Sequence, residues 1–362
     1  MKNKLIKSKA IFFLISILTL LLVTTSCNTT EPDIKPPIEP DSTTQNFTFE
    51  TFEFGDGFES SWLNDVWIFD ENNIWAVGYL APSDTTINGI HITNPNIIKW
   101  DGSSWKLQPF SGTSNGMEGI WALDSSHIYF ASGGLRKYVN GVYSTINTNL
   151  GLQNYQGIYK LWGNSENNLW GVGPGGTIVH YDGVAWSKID FDEGWYFYDI
   201  TGNSKTGTAF AVAQGNLGTS IIVELKNGTA DIIFDNQNSP YYSYGLQSIL
   251  HYSENELWLS GSKIFSYNLM SEELKVIQDL PVGDDVSTVS MTSQKDIFYW
   301  GNGTDLQGKF VHYNGKRFKM FTIPTAYTPY PEGINSMNNL AVAVGSVGNK
   351  AFLLKITPLI RM

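Results

Sequence analysis

A returning hexapeptide constrains this chain more than any other feature. Asn73-Ile74-Trp75-Ala76-Val77-Gly78 recurs as Asn168-Leu169-Trp170-Gly171-Val172-Gly173. Looser copies are His127-Ile128-Tyr129, Ala209-Phe210-Ala211-Val212, Glu256-Leu257-Trp258, Asp296-Ile297-Phe298 and Ala341-Val342-Ala343-Val344-Gly345. One anchor per copy falls at 75, 129, 170, 210, 258, 298 and 342, in steps of 54, 41, 40, 48, 40 and 44 residues. Such a period marks one supersecondary unit used again and again, each copy burying a face its neighbour needs covered.

Two further signals keep register with the anchors. Trp67, Trp121 and Trp162 each lie eight residues before one. Asp101-Gly102, Asn140-Gly141, Asp182-Gly183, Asn227-Gly228 and Asn314-Gly315 follow, between apolar runs. Asp-Gly or Asn-Gly in that setting predicts a two-residue type I′ hairpin, with φ > 0 at both positions. Each copy therefore reads as four short strands; in the third they fall at 158–162, 168–173, 177–181 and 185–190. Four strands every 40 to 50 residues is the pattern of a β-propeller, and seven anchors predict seven blades. The fold class is all-β, with the propeller over 46–362. The seventh copy runs out after its third strand, at 351–356, while an orphan β-rich segment, 47–54, precedes the first copy. That segment is expected to supply the outer strand of the last blade and close the ring.

The first 45 residues read differently. Lys2, Lys4, Lys7 and Lys9 precede a 13-residue apolar run, 11–23. A membrane span needs about 20 apolar residues, so the run reads as the core of a secretory signal. Thr24-Thr25-Ser26-Cys27 resembles the lipobox of bacterial lipoproteins, whose cysteine is acylated and becomes the first mature residue. The resemblance implies that 1–26 is removed and that Cys27 carries the lipid. Cys27 is the chain's single cysteine, which excludes an internal disulfide, a CxxC redox pair and a cysteine zinc site. Residues 28–45, with Pro32, Pro36, Pro37 and Pro40, read as a semi-rigid spacer. Asn28 replaces the aspartate that in some Gram-negative bacteria retains lipoproteins at the inner membrane, so the outer membrane is the expected location.

Removing 1–26 takes away four positive charges and no negative one, from a chain already at −11. That balance excludes a nucleic-acid partner, which needs a basic face. The Trp-Ala-Val-Gly and Tyr-Asp-Gly-x-x-Trp units resemble Trp-rich propeller repeats of exported bacterial proteins, and more distantly the BNR and photosystem-assembly-factor-like propellers. The likeness speaks to fold rather than function. BNR sialidases hold a carboxylate with three converging arginines and carry Asp-boxes. Here Asp101-Gly102-Ser103-Ser104-Trp105 lacks the aspartate two residues before its glycine. The chain's three arginines include Arg361 in the tail and Arg317 after a hairpin glycine. Sialidase activity is excluded.

The repeat-position tryptophans, Trp67, Trp121 and Trp162 among them, are read as packing between blades. The five histidines are scattered, with no metal-ligand spacing, and no phosphate loop, dinucleotide fingerprint or Gly-x-Ser-x-Gly occurs. No cofactor and no metal are expected. The informative contrast lies in the connections between blades, which are long and aromatic. They carry Tyr155, Trp195, Tyr196, Tyr198, Tyr241, Tyr242, Tyr244, Tyr327 and Tyr330, with acidic neighbours Glu118, Asp192, Glu193, Asp285 and Glu332. Such rings either cover the end of the core or form a rigid amphipathic binding platform. Three functions follow: a non-enzymatic envelope module binding a protein or glycan; a polysaccharide lyase or hydrolase using loop carboxylates and tyrosines; or a structural subunit of an envelope complex. The first leads, because no catalytic constellation is present. For the anchor, Cys27→Ser is expected to abolish palmitate incorporation and move the protein from the membrane to the soluble fraction; retention on membranes would refute it.

Overall fold

The computed structural model describes residues 42–362, apart from short segments at 56–58, 82–83, 88–89, 94–95, 109–115, 147, 216–217, 238–244, 339 and 360–362; for 84–87 and 90–93 it describes the backbone alone. Seven four-stranded antiparallel sheets follow one another as the blades of a β-propeller. The innermost strands of blades one to seven are Trp62–Asp70, Gly119–Asp124, Lys160–Ser165, Tyr196–Gly202, Ser248–Ser253, Asp285–Ser293 and Pro329–Met337. Successive inner strands touch around the whole ring, the seventh against the first. The insertion in blade one makes a ribbon of its own, Asp84–Ile87 with Ile90–Thr93.

The ring closes as the sequence predicts. Phe47–Phe54 pairs antiparallel with Lys350–Pro358, from Phe47↔Pro358 to Phe54↔Ala351, and completes blade seven. The chain is already docked ahead of that strand. Thr43 Oγ1 donates to Lys295 O at 2.7 Å, Gln45 Nε2 to His312 O at 3.0 Å, and Lys319 Nζ to Gln45 O at 3.0 Å. Residues 43 and 45, read above as spacer, thus clasp blade six. The Phe47 ring then sits edge-on to Phe298, Phe310 and His312.

The core lies in the seams between blades. One inner-strand position is aliphatic in all seven: Val66, Ile120, Leu161, Ile200, Ile249, Val289 and Ile334. Six of these are buried, each in a different inter-blade cluster, and Leu161 packs against the seventh. Burying an aliphatic side chain of this size is worth about 2 kcal/mol.

The hairpins need a correction. Only Asn140-Gly141 and Asn227-Gly228 have φ > 0 at both residues. In the other three only the glycine does, and the loop is four residues long: Trp100 pairs with Trp105, Tyr181 with Trp186 and Tyr313 with Phe318. There the first side chain closes the turn. Asp182 Oδ1 accepts from the Val184 and Ala185 amides at 2.8 and 2.9 Å, and Asn314 Oδ1 from those of Lys316 and Arg317 at 3.1 and 3.0 Å. An Asx turn replaces the type I′ turn because two extra residues relieve the strain.

The glycine that ends the repeated hexapeptide has a steric cause. A Cβ on Gly78, Gly173, Gly301 or Gly345 would lie 2.1, 2.1, 2.0 or 2.0 Å from a carbonyl oxygen of the adjacent segment: Trp62, Gly157, Asp285 and Tyr330 respectively. In blades one, six and seven the glycine faces the residue just before a β-bulge in the inner strand. Close backbone approach is what makes glycine necessary at a bulge. Gly345→Ala is expected to lower stability by about 3 kcal/mol. Gly134→Ala, whose Cβ meets nothing within 4 Å, is expected to be near neutral in the same thermal melts.

Candidate binding channel

The bulges decide what faces the axis. In the first half of four inner strands one residue is left out of the pairing: Asn64, Tyr198, Ser287 and Glu332. Each projects into a central cavity of about 720 Å³, as do Glu118, Tyr159 and Gln247 at the matching positions of the other blades. The next position contributes Asp65, Lys160, Asp199, Ser248 and Thr288 to the wall. Deeper, the channel passes Trp67, Trp121, Trp162, Thr201, Leu250, Ser290 and Asn335, and continues to Leu123, Asn164 and Ser204.

The three tryptophans do more than pack between blades, where Trp67 and Trp162 cover inter-blade clusters and Trp67 meets Trp121. Trp67 and Trp162 are only half-buried, and all three line the channel. The strand alternates, so the position after the aliphatic seam residue turns back to the axis. The Trp162 ring lies against Gly202 of blade four, where a Cβ would sit 2.5 Å from it. A Cβ on Gly163 of blade three would lie 3.2 Å from the Trp121 ring. Small residues in the next blade thus leave room for each ring to lie along the wall.

Lys160 is the electrostatic centre. Its Nζ lies 3.3 Å from Asp65 Oδ2 and donates to Asn64 O at 3.3 Å, reaching from blade three to blade one. Burial opposes its charge, but Asp65, Asp199 and Glu332 together hold its pKa above the ordinary lysine range. Asp65 and Asp199 also stitch blades together. Asp65 accepts from the Val66 amide at 2.9 Å and the Ile120 amide of blade two at 3.2 Å. Asp199 accepts from the Ile200 amide at 2.8 Å, the Ile249 amide of blade five at 3.1 Å and the Ser248 hydroxyl. Burial raises the Asp199 pKa against the opposing pull of Lys160 and these donors. Glu118 Oε2 accepts from Asn64 Nδ2 at 3.0 Å. Burial lifts the carboxyls of Glu118 and Glu332 above the usual range; Lys160 lowers both, and Glu118 adds to the rise at Glu332.

Of the candidate residues, Glu118, Tyr196, Tyr198 and Glu332 meet at the channel. The other candidates among the described residues do not line it. Tyr155 is exposed and donates its hydroxyl to Glu193 Oε2 at 2.6 Å, tying two inter-blade loops together. Asp192 Oδ1 accepts from the Gly194 amide at 2.9 Å. Trp195 packs over Gly215, and Asp285 is half-buried at the head of its strand. Tyr327 leans on the Gly348 turn, while Tyr330 is exposed. Cys27, Tyr241, Tyr242 and Tyr244 lie outside the described residues. Sequence reasoning missed Asn64, Asp65, Tyr159, Lys160, Asp199 and Gln247. The invariant aliphatic column was the available signal, since the varied positions flanking a seam residue face the axis. Among the described residues, no group of three or more His, Cys, Asp or Glu side chains is placed to hold a metal ion.

No family model matches the chain, and no curated protein matches it. Solved structures do. One is YCF48 bound to D1 peptide, at TM-score 0.62 and 12% identity over 86% of this chain and 97% of that one. The WD40 β-propeller domain of Doa1 gives 0.59 and 11%, over 86% and 97%. The extracellular domain of a one-component system from B. thetaiotaomicron gives 0.59 and 13%, over 86% of this chain and 40% of that one. At these identities the shared property is the fold: the chain is a seven-bladed β-propeller.

The charges in the channel set a pH dependence. Lys160→Met leaves Asp65 unpaired and is expected to cost about 3 kcal/mol. Glu118→Gln keeps an acceptor for Asn64 and removes a charge. A carboxyl whose pKa is raised on folding destabilises the fold at neutral pH, and the cost fades as pH falls through the raised value toward 4.5. Glu118→Gln should therefore stabilise the protein at pH 7, with the gain shrinking toward pH 4.5 in denaturant titrations.

Proposed function

We propose that this protein is a lipid-anchored binding module of the bacterial envelope that engages a protein partner at the channel mouth and catalyses no reaction. One observation carries the reading. Seven structurally equivalent positions around the mouth hold Asn64, Glu118, Tyr159, Tyr198, Gln247, Ser287 and Glu332, while the seam residue two places on is aliphatic in every blade. The scaffold is uniform where it must pack and individual where it meets solvent, as expected of a recognition surface on a repeat fold. Concave sites of this size with a few convergent polar groups are typical of ligand binding.

Similar folds support a protein partner over a glycan. One neighbour was solved bound to D1 peptide, and another within the Mitotic Checkpoint Complex, at TM-score 0.57 and 12% identity. Membrane attachment in this reading rests on Cys27, and an outer-membrane location on Asn28. The test is photo-crosslinking in living cells, with p-benzoylphenylalanine at Tyr198 and, as a control, at Val184 on a turn at the opposite end of the blades. Discrete protein adducts at Tyr198 and none at Val184 are expected. Equal labelling at both sites, or adducts that prove to be polysaccharide, would overturn the reading.

A further inference from the structure

The channel mouth divides into sectors. Blades seven, one and two contribute Glu332, Asn64 and Glu118; blades three and four contribute Tyr159, Tyr196 and Tyr198; blades five and six contribute Gln247 and Ser287. The tyrosines form a continuous arc. Tyr159 and Tyr196 meet edge-to-face at 6.1 Å between centroids, and Tyr196 and Tyr198 lie 4.7 Å apart with their planes tilted by 42°.

Most charge in the channel is used internally. Lys160 is held by Asp65 and the Asn64 carbonyl, so it is not free to receive an incoming carboxylate. Asp65 and Asp199 spend their oxygens on amides of adjacent blades and on Ser248. Two carboxylates remain. Glu118 has one hydrogen-bond donor, Asn64 Nδ2, and Glu332 has none among the described residues. They face the tyrosine arc across an open cavity, in a chain of net charge −11.

Resting on the binding reading above, we infer that the mouth receives one basic side chain of the protein partner, an arginine, between Glu118 and Glu332 with its flat face on Tyr196 and Tyr198. A guanidinium suits the place on three counts. Its planar fork pairs with carboxylates, its face stacks on aromatic rings, and it sheds water more readily than an ammonium. The cavity is larger than one side chain, so neighbouring partner residues lie across Gln247 and Ser287. The negative field of the chain draws basic segments toward the mouth before contact.

The experiment titrates the full-length lipidated protein in detergent with acetyl-Gly-Ser-Arg-Ser-Gly-amide and its citrulline and glutamate counterparts, read by calorimetry. The arginine peptide is expected to saturate, the citrulline peptide to bind about tenfold more weakly, and the glutamate peptide not to bind. Glu332→Gln and Glu118→Gln are each expected to weaken the arginine peptide about fivefold and to leave the citrulline peptide unchanged. Affinity for arginine should also fall as pH drops toward 4.5. Equal binding of arginine and citrulline, or no saturation by the arginine peptide at millimolar concentration, would overturn the inference. Protein adducts at Tyr198 that persist in that case would leave the binding reading standing, and this inference alone would fail.

Discussion

Seven inner strands have to crowd around one axis, and everything else in this protein follows from how they do it. A four-stranded blade cannot bury both faces alone, so each inner strand sends an aliphatic side chain into the seam with its neighbour. Strand alternation then forces the flanking residues toward the axis. In blades one, six and seven a bulge in the inner strand has a glycine opposite it. The same residues that set the packing thereby choose which side chains the channel presents.

Ionic side chains in the channel serve two ends. Asp65 and Asp199 bridge blades by accepting amide hydrogens across a seam, and Lys160 pairs with Asp65 and attracts Asp199. Charged groups this enclosed are tolerated only when paired and hydrogen-bonded. Glu118 and Glu332 meet that rule only in part. Burial lifts both carboxyls above the usual range although Lys160 pulls both down and Asn64 donates to Glu118. Groups held in that condition in a cleft are where binding functions concentrate.

The fold was legible in the residues because a propeller is a repeat, and repeats announce themselves through tryptophans, glycines and turn dipeptides. Closure by 47–54 was legible because one copy lacked a strand and another segment had no partner. The site was legible only where the sequence read as inter-blade loop, although Tyr196, Tyr198 and Glu332 belong to inner strands. Glu118, Tyr196, Tyr198 and Glu332 stood out as aromatic or acidic residues between blades. Lys160, Asp65 and Asp199 did not, because they sit in inner strands whose facing at each position composition does not reveal. Trp67, Trp121 and Trp162 were read as packing between blades, but their place on the channel wall was not read, because parity along a strand cannot be counted without its origin. Loops such as Asp182-Gly183-Val184-Ala185 differ from Asn227-Gly228 by two residues only, and those residues decide between an Asx turn and a type I′ turn.

Closure by the amino-terminal strand also imposes an order in time. Thr48 meets Thr357 across a sequence separation of 309 residues, so the first strand synthesised waits for the last. Pairings this distant in sequence form slowly, because loop closure precedes the contacts that repay it. Until then both members of the final pair are open strand edges, the kind that join to edges of other molecules. A chain synthesised from its amino terminus therefore passes through an open-ring stage that ends only when residue 358 has emerged.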